Sequence, residues 1–448
     1  MGKSLKINGN RVFFVGVGGI SMSALAMLCH NFGAIVGGSD AVKNNITLGL
    51  EKHIKLFYGH NKHNIIKFKP NLIVYTGAVN FDNPELEFAI NNNIKVMERS
   101  EFLGMICKNY KNVIAVAGTH GKTTTTAMIA EIFMLAKLNP TIHIGGEVVN
   151  LNSNFVVGGN EYFITEACEY KKSFEHINSS VAVITNIECD HMDCYKSYND
   201  LCDSFIKFAN QSKNLIVFNS NPIKEKVQTK HVQIVNFEFG LQAKNIKILQ
   251  NEISFDVFEF GLYLANFKLS VFGEYNVDNA LLAIGVARHF NVCVATIYDA
   301  LKNFKGVKRR NEKLGKINGI SVYADYCHHP TEIKKSINAF KGKFNKILCV
   351  FQPHTYSRTK MLIKDFDQCF KGVNKLIIFK TYPAREPYDF DGCETALFKK
   401  IKNKNKILAL SESELLKNIV DFAHNYDAII VLGAGDIYDI VKNGLTLD

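Results

Sequence analysis

The chain has 448 residues, 47% of them hydrophobic and 21% charged, with 53 Lys and Arg against 42 Asp and Glu. That length holds two to four domains with real cores, and the balance of apolar and charged residues excludes long disorder. The net charge of +11 leaves three classes open: a nucleic-acid binder, a membrane-surface protein or an enzyme for anionic substrates.

Eleven cysteines stand singly from Cys29 to Cys393, with no Cys-x-x-Cys pair. A disulfide framework or a thiolate zinc site would cluster them, so free thiols in a reducing cytoplasm are expected. Val12–Cys29 is uncharged and follows Lys3, Lys6 and Arg11, as in a signal peptide. Its interior Gly16, Gly18, Gly19, Ser21 and Ser23 suit a strand, a glycine turn and a helix better than an apolar export segment. No stretch is apolar for long enough to span a bilayer, and a soluble protein is expected.

In chain order, Arg11–Val15 reads as a strand, Gly16–Gly19 as a turn, and Ile20–Phe32 as a helix closed by Gly33. Ala34–Val36 is the next strand, ending at Gly38-Ser39-Asp40, and Leu72–Tyr75 another. A second start comes at Asn112–Ala117, followed by Gly118–Lys122. The helix after it has Met128, Ile129, Ile132, Phe133 and Ala136 at a 3.6-residue period. Further strands are Tyr162–Thr165, Val181–Thr185 and Leu215–Phe218, and residues from Phe237 to Phe272 alternate like a small antiparallel layer. A third start at Ile320–Ala324 leads to Ile347–Phe351, Leu376–Phe379, Ile407–Leu410 and Ala428–Leu432. Strands alternating with helical stretches predict parallel α/β architecture in three domains, with seams near Glu101–Asn112 and Phe304–Lys313.

Gly118-Thr119-His120-Gly121-Lys122-Thr123 is the most informative segment. A glycine loop between strand and helix aims backbone N–H groups at a phosphate, Lys reaches its terminal oxygens, and Thr can hold Mg²⁺. Val116 stands where a strict Walker loop has glycine, so this is a shortened variant. The first loop, Gly16–Ser21, begins like a dinucleotide fingerprint with Ser21 in place of the third glycine. Asp40 stands where a ribose-binding acid belongs. Glu166 and Glu169 close one strand, and Glu188, Asp190, His191 and Asp193 follow the next. In a parallel sheet these ends share one edge, beside the phosphate loop, where carboxylate and imidazole suit a divalent cation. The last third offers Asp325, His328 and His329 past one strand, and Gln352, His354 and Arg358 past the next. Arg358 is placed to clamp a carboxylate. Gly433–Asp436 reads as a structural turn.

AGTHGKTTT, TEACEY, TNIECDHMD, GEYNVDNALLAI and FKGVKRR, in this order, resemble the Mur ligase family, ATP-dependent amide-forming enzymes of bacterial cell-wall synthesis. VGVGGISMSALA, DYCHHPTE, FQPHTYSRT and VLGAGDI are similar to the member acting on UDP-N-acetylmuramate and L-alanine. The resemblance implies a Rossmann-like UDP-substrate domain over 1–106, a P-loop-type ATP domain over 107–306 and a Rossmann-like amino-acid domain over 307–448. It implies Lys122, Glu166 and His191 as catalytic, and Thr123, Glu166 and His191 as the Mg²⁺ positions. For ATP it implies Gly118, Thr119, His120, Gly121, Lys122, Thr123, Thr124, Asn276, Asn279, Arg310 and Asp325. For the UDP substrate it implies Gly18, Gly19, Ser21, Asp40 and His328, and for the amino acid His354 and Arg358.

The family pattern is departed from at Ala324, Cys327 and Asn311, none of them a proposed catalytic group. The reaction so implied runs through an acyl phosphate, and the base that deprotonates the amine stays open between a histidine and a substrate phosphate. Small-molecule partners and a monomer or weak homodimer are expected. No basic run with interleaved aromatics supports nucleic acid as a partner, and no membrane partner is expected. The alternatives are a ligase that attaches tripeptide to the same nucleotide and a nicotinamide-dependent oxidoreductase built on Gly16–Ser21 and Asp40.

Overall fold

Three β-sheets organise the chain in a computed structural model that describes residues 9–189, 194–249, 252–384 and 386–448. The first sheet has the strand order Lys55–Tyr58, Ile35–Asp40, Arg11–Val15, Leu72–Tyr75 and Lys95–Glu98, all parallel. Arg11–Val15 lies where the order reverses. The crevice beyond its C-terminal end is the usual ligand position in such a sheet, and Gly16–Gly19 sits there.

The second sheet has ten strands. At its centre Asn112–Ala117 pairs in parallel with Val181–Ile184 on one side and Tyr162–Glu166 on the other. Gly118–Gly121 leads from this strand into the helix Lys122–Leu135, so the loop, Glu166 and Thr185 emerge from three adjacent strand ends. Beyond Tyr162–Glu166 come Thr141–Val148 and Ser153–Val156. The three strands Leu241–Ile248, Ile253–Glu259 and Leu262–Leu269 extend the other edge, beyond Asn214–Phe218 and His231–Val235.

The third sheet runs Glu312–Ile317, Ile320–Asp325, Ala428–Leu432, Ile347–Phe351, Lys375–Phe379 and Lys406–Ala409. Its first strand is antiparallel and the rest are parallel.

Two features differ from the sequence reading. The second strand does not stop at the glycines but runs Ile35–Asp40, because glycine is what the packing there admits. A Cβ on Gly37 would lie 2.5 Å from the Phe68 ring, and one on Gly38 2.8 Å from the Phe14 carbonyl oxygen. The third sheet begins one strand earlier than expected. Asn318 and Gly319 both have positive φ (50° and 81°), the two-residue hairpin turn that folds Glu312–Ile317 onto Ile320–Asp325.

Cores follow the strands. Val12, Phe14 and Val74 pack with Leu25, Phe102 and Ile106, and Phe174 stacks on Phe208 at 5.0 Å between ring centres. Phe351 meets Phe366 and Phe370 beneath the third sheet. Each such ring contributes about 1.5–3 kcal/mol on burial. All eleven cysteines are free and seven are buried. Among the described residues no helix is long and apolar enough to cross a membrane.

Two compact units emerge. One takes the chain up to Ile246 with Phe255–Phe267 and Asn279–Phe304; the other takes Lys247–Ser254, Lys268–Asp278 and Lys305–Asp448.

Candidate functional site

In the first unit the loop after Asn112–Ala117 is shaped by glycine where nothing else fits. Gly118 has φ +134°, and a Cβ there would lie 1.9 Å from Thr185 Oγ1. Gly121, the N-cap of the following helix, has φ +83°, and its Cβ would lie 2.5 Å from Asn279 Oδ1. Around them the loop is pinned from the neighbouring strand end. Thr119 N–H donates to Asn186 C=O at 2.9 Å, His120 N–H donates to Asn186 Oδ1 at 3.0 Å, and Thr185 Oγ1 donates to His120 C=O at 2.6 Å. His120 Nε2 also lies 3.4 Å from a Glu188 carboxylate oxygen.

Lys122 folds back over this loop. Its ammonium donates to the carbonyls of Gly118 and Thr119 and to both carboxylate oxygens of Glu169, at 3.0 and 2.9 Å. Burial alone would lower the pKa of this ammonium, but Glu169, with Cys168 and Glu166, outweighs it and the net shift is upward. Lys122 is therefore a fixed cation at the N-terminus of the helix Lys122–Leu135.

Glu166 ends the adjacent strand. Its carboxylate accepts from Thr123 Oγ1 at 3.1 Å and from Gly145 N–H at 2.7 Å. Both of these partners are neutral, so Thr123 and Glu166 form a hard, all-oxygen donor pair with anionic character to spare, which fits Mg²⁺. His191, the third position expected at the metal, lies outside the described residues. Thr124 is half-buried in the first helical turn, and Thr125 Oγ1 donates to Asn279 Oδ1 at 3.2 Å. Asn279 is thus tied to the loop and its helix.

At the first glycine turn Gly18 N–H donates to Asp40 Oδ2 at 2.7 Å, and Val42 N–H donates to Asp40 Oδ1 at 3.1 Å. Asp40, read as a ribose-binding acid, uses its carboxylate to hold its own turn. Gly19 is the N-cap of the helix that follows. Ser21 Oγ lies 3.0 Å from His143 Nε2 and accepts from Arg99 at 3.3 Å. The buried His143 is held down to about 4 by burial, with Arg99 adding to the effect.

The second unit has its own cluster. Asn276 is buried and donates to Phe272 C=O at 3.0 Å. Arg310 lies over the Tyr326 ring at 5.1 Å and 3.9 Å from Glu332. Burial would lower its pKa, but Glu332 and Asp325 raise it further. Asp325 is pushed up by burial against the opposing pull of Arg310. His328 faces His354 with ring centres 5.4 Å apart, and His354 stacks on Tyr382 and lies 3.2 Å from Arg358. Burial, His328 and Arg358 push His354 down to about 3, so its ring is neutral at working pH. The second imidazole of the pair turns elsewhere: His329 caps the helix Pro330–Lys341, accepting from Thr331 N–H at 3.3 Å. Asn311 donates to Tyr275 Oη and accepts from Ser336 Oγ at 3.4 Å.

The structure thus gathers Gly118–Thr123, Glu166 and Asn279 in one unit, and Arg310, Asp325, His328, His354 and Arg358 in the other. It adds His143, to which no function was assigned from sequence, and pairs Glu169, read there as a strand-end acid beside the phosphate loop, with Lys122. The only signal for Glu169 was a second acid three residues past the strand-ending Glu166. For His143 there was none.

Family models match in sequence along most of the chain. The Mur ligase family catalytic domain matches residues 11–111, the Mur ligase middle domain residues 116–287, and the Mur ligase glutamate ligase domain residues 309–435. The UDP-N-acetylmuramate--L-alanine ligase of Clostridium novyi is 40% identical, covering 97% of each chain. The enzyme of the same name from Clostridium tetani is 42% identical over 96% of each. The crystal structure of the UDP-N-acetylmuramate-alanine ligase of Thermotoga maritima superposes with a TM-score of 0.84 at 26% identity, covering 97% of this chain and 98% of that one.

Proposed function

The chain belongs to the Mur ligase family, and from that premise we propose that it joins L-alanine to the lactyl carboxylate of UDP-N-acetylmuramate with hydrolysis of ATP to ADP. The observation that carries this reading is Lys122, largely buried and paired with Glu169 at the N-terminus of a helix, after a glycine loop that admits no other residue at Gly118. Such a cation at a helix N-terminus is suited to the terminal phosphates of a nucleotide.

A carboxylate is a poor electrophile. Its oxygen attacks the γ-phosphorus of ATP, the bond to the β-bridging oxygen breaks, and an acyl phosphate and ADP result. The amine of alanine then adds to the acyl carbon, and collapse of the tetrahedral adduct expels phosphate and leaves the amide. Negative charge gathers on the transferring oxygens in the first step, where Lys122 and the N-terminus of its helix act electrostatically. Thr123 and Glu166, with His191, are the residues that would hold Mg²⁺, which supplies further neutralisation of phosphate charge.

We assign ATP to residues Gly118–Thr124, Asn276, Asn279, Arg310 and Asp325 within domains bounded at 1–106, 107–306 and 307–448. The UDP end goes to Gly18, Gly19 and Ser21 with His328, and the alanine carboxylate to Arg358 beside the neutral His354. Asp40 acts through the turn it holds. The protein works as a monomer or weak homodimer in the cytoplasm. Release of ADP dependent on both UDP-N-acetylmuramate and L-alanine tests the reading. Release with tripeptide and not with L-alanine would transfer the chain to the tripeptide-attaching branch, and NADH binding without nucleotide turnover would refute ligase chemistry.

A further inference from the structure

His143 is buried in the strand Thr141–Val148 of the second sheet, yet its two ring nitrogens are spent on two different sheets' elements. Nε2 lies 3.0 Å from Ser21 Oγ, on the first turn of the helix Ile20–Asn31. Nδ1 lies 3.0 Å from the buried Thr165 Oγ1, whose hydroxyl also reaches the Glu166 carbonyl at 3.1 Å. On the far side Arg99 donates to Ser21 Oγ at 3.3 Å. A chain of polar contacts therefore runs from Arg99 through Ser21, His143 and Thr165 to the backbone of Glu166. Because the Thr165 hydroxyl gives its one proton to the Glu166 carbonyl, the neutral tautomer with its proton on Nδ1 completes the chain, its Nε2 accepting from the Ser21 hydroxyl.

The same helical turn is held a second time, since Asn154 donates to Ile20 C=O at 2.9 Å. These contacts fix the turn that follows Gly16–Gly19 against the sheet that carries the Lys122 loop. A buried imidazole is tolerated only when its nitrogens are hydrogen-bonded, and both nitrogens of His143 are satisfied by hydroxyls of separate elements.

We propose that His143 is a positioning residue for the UDP end of the substrate, holding the Ser21 hydroxyl at the first glycine turn and registering that turn to the strand that ends in Glu166. The proposal rests on the ligase reading and on Ser21 lying at the UDP site. His143 does not touch the reacting atoms. Its loss frees the Ser21 hydroxyl to rotate, and the effect falls on the binding of the nucleotide sugar more than on ATP.

Steady-state kinetics of the full chain test this with His143→Leu, His143→Gln, Ser21→Ala and the Ser21→Ala/His143→Leu pair. Loss of one buried hydrogen bond to a binding group predicts a KM for UDP-N-acetylmuramate raised roughly five- to ten-fold in His143→Leu. KM for ATP should stay within about two-fold, on the same scale. Gln, whose amide keeps a donor and an acceptor at similar reach, should recover most of the loss. The double variant should be no worse than the worse single one, because both remove one contact. The role is overturned if His143→Leu leaves that KM unchanged, if KM for ATP moves equally, if Gln fares no better than Leu, or if the two losses add. Should His143→Leu fail to fold, Gln and the half-buried Ser21→Ala still decide, since Ser21→Ala alone must reproduce the selective rise. A parent chain that neither binds the nucleotide sugar nor ligates it removes the ligase reading and this role together; a normal parent with an indifferent His143 removes this role alone.

Discussion

Glu169→Gln separates the two states of Lys122. The Lys122 side chain is 16% exposed, and its only anionic hydrogen-bond partner among the described contacts is the buried Glu169, at 2.9 and 3.0 Å. Gln keeps the shape and an acceptor oxygen but removes the charge, leaving a largely buried cation on carbonyls alone. Breaking a buried pair at one end costs 3–5 kcal/mol, and the retained acceptor returns part of it, so about 2–3 kcal/mol of stability is lost. At roughly 2–4 °C per kcal/mol for a domain of this size, thermal unfolding without ligand moves down by roughly 4–12 °C. ATP reverses the balance. Its phosphates give Lys122 a new counter-charge and no longer compete with Glu169, so the ATP-induced rise in unfolding temperature is larger in the variant and KM for ATP falls. Thermal unfolding with and without ATP, together with ATP kinetics, checks both signs. An unchanged ligand-free transition, or an ATP-induced shift no larger than the parent's, would refute the counter-ion reasoning.

Lys122→Ala should lower kcat by ~10²–10³, the usual loss for one preorganised donor to a developing oxyanion, while the fold persists by circular dichroism. Gly118→Ala, whose methyl would lie 1.9 Å from Thr185 Oγ1 at a φ of +134°, should abolish ATP binding measured by calorimetry while residues of the second unit keep their hydrogen-exchange protection. The pH dependence of stability carries a third sign. His143 is held down to about 4 in the folded chain. An unfolded histidine titrates near ~6.5, so the unfolded chain binds more protons between these values. The stability from the neutral ring is whole above that unfolded value and drains as pH falls towards the folded one. Between about pH 7.5 and 5 this one group accounts for about 2 kcal/mol. His143→Gln should lose about that much less than the parent over the same interval in denaturant unfolding.

Most of the parallel core was legible because strands buried on both faces read as unbroken apolar runs, as Asn112–Ala117 and Ile347–Phe351 do. The phosphate loop was legible for a related reason: its glycines, lysine and threonine are contiguous, and their local order carries the mechanism. Gly37 and Gly38 misled, since glycine reads as a breaker when the reason for it is the Phe68 ring and the Phe14 carbonyl lying against the strand. The Asn318-Gly319 turn was an available hairpin signal that a search for parallel strands passed over. Asp40 was found at the expected spacing and then put to local use, because spacing locates a carboxylate and does not say which donors reach it first. The pairing of Glu169 with Lys122 and the contacts of His143 were beyond local reading. Lys122 and Glu169 are 47 residues apart, and Ser21 and His143 are 122 apart, so only the packing of separate elements brings them together.

Activation of the lactyl carboxylate by ATP as an acyl phosphate is the first step of the proposed reaction. It is tested most directly with UDP-N-acetylmuramate carrying oxygen-18 in both carboxylate oxygens, incubated with ATP and L-alanine. One labelled oxygen should leave in each inorganic phosphate released, and the other should remain in the amide carbonyl. Unlabelled phosphate released alongside amide product would contradict the mechanism.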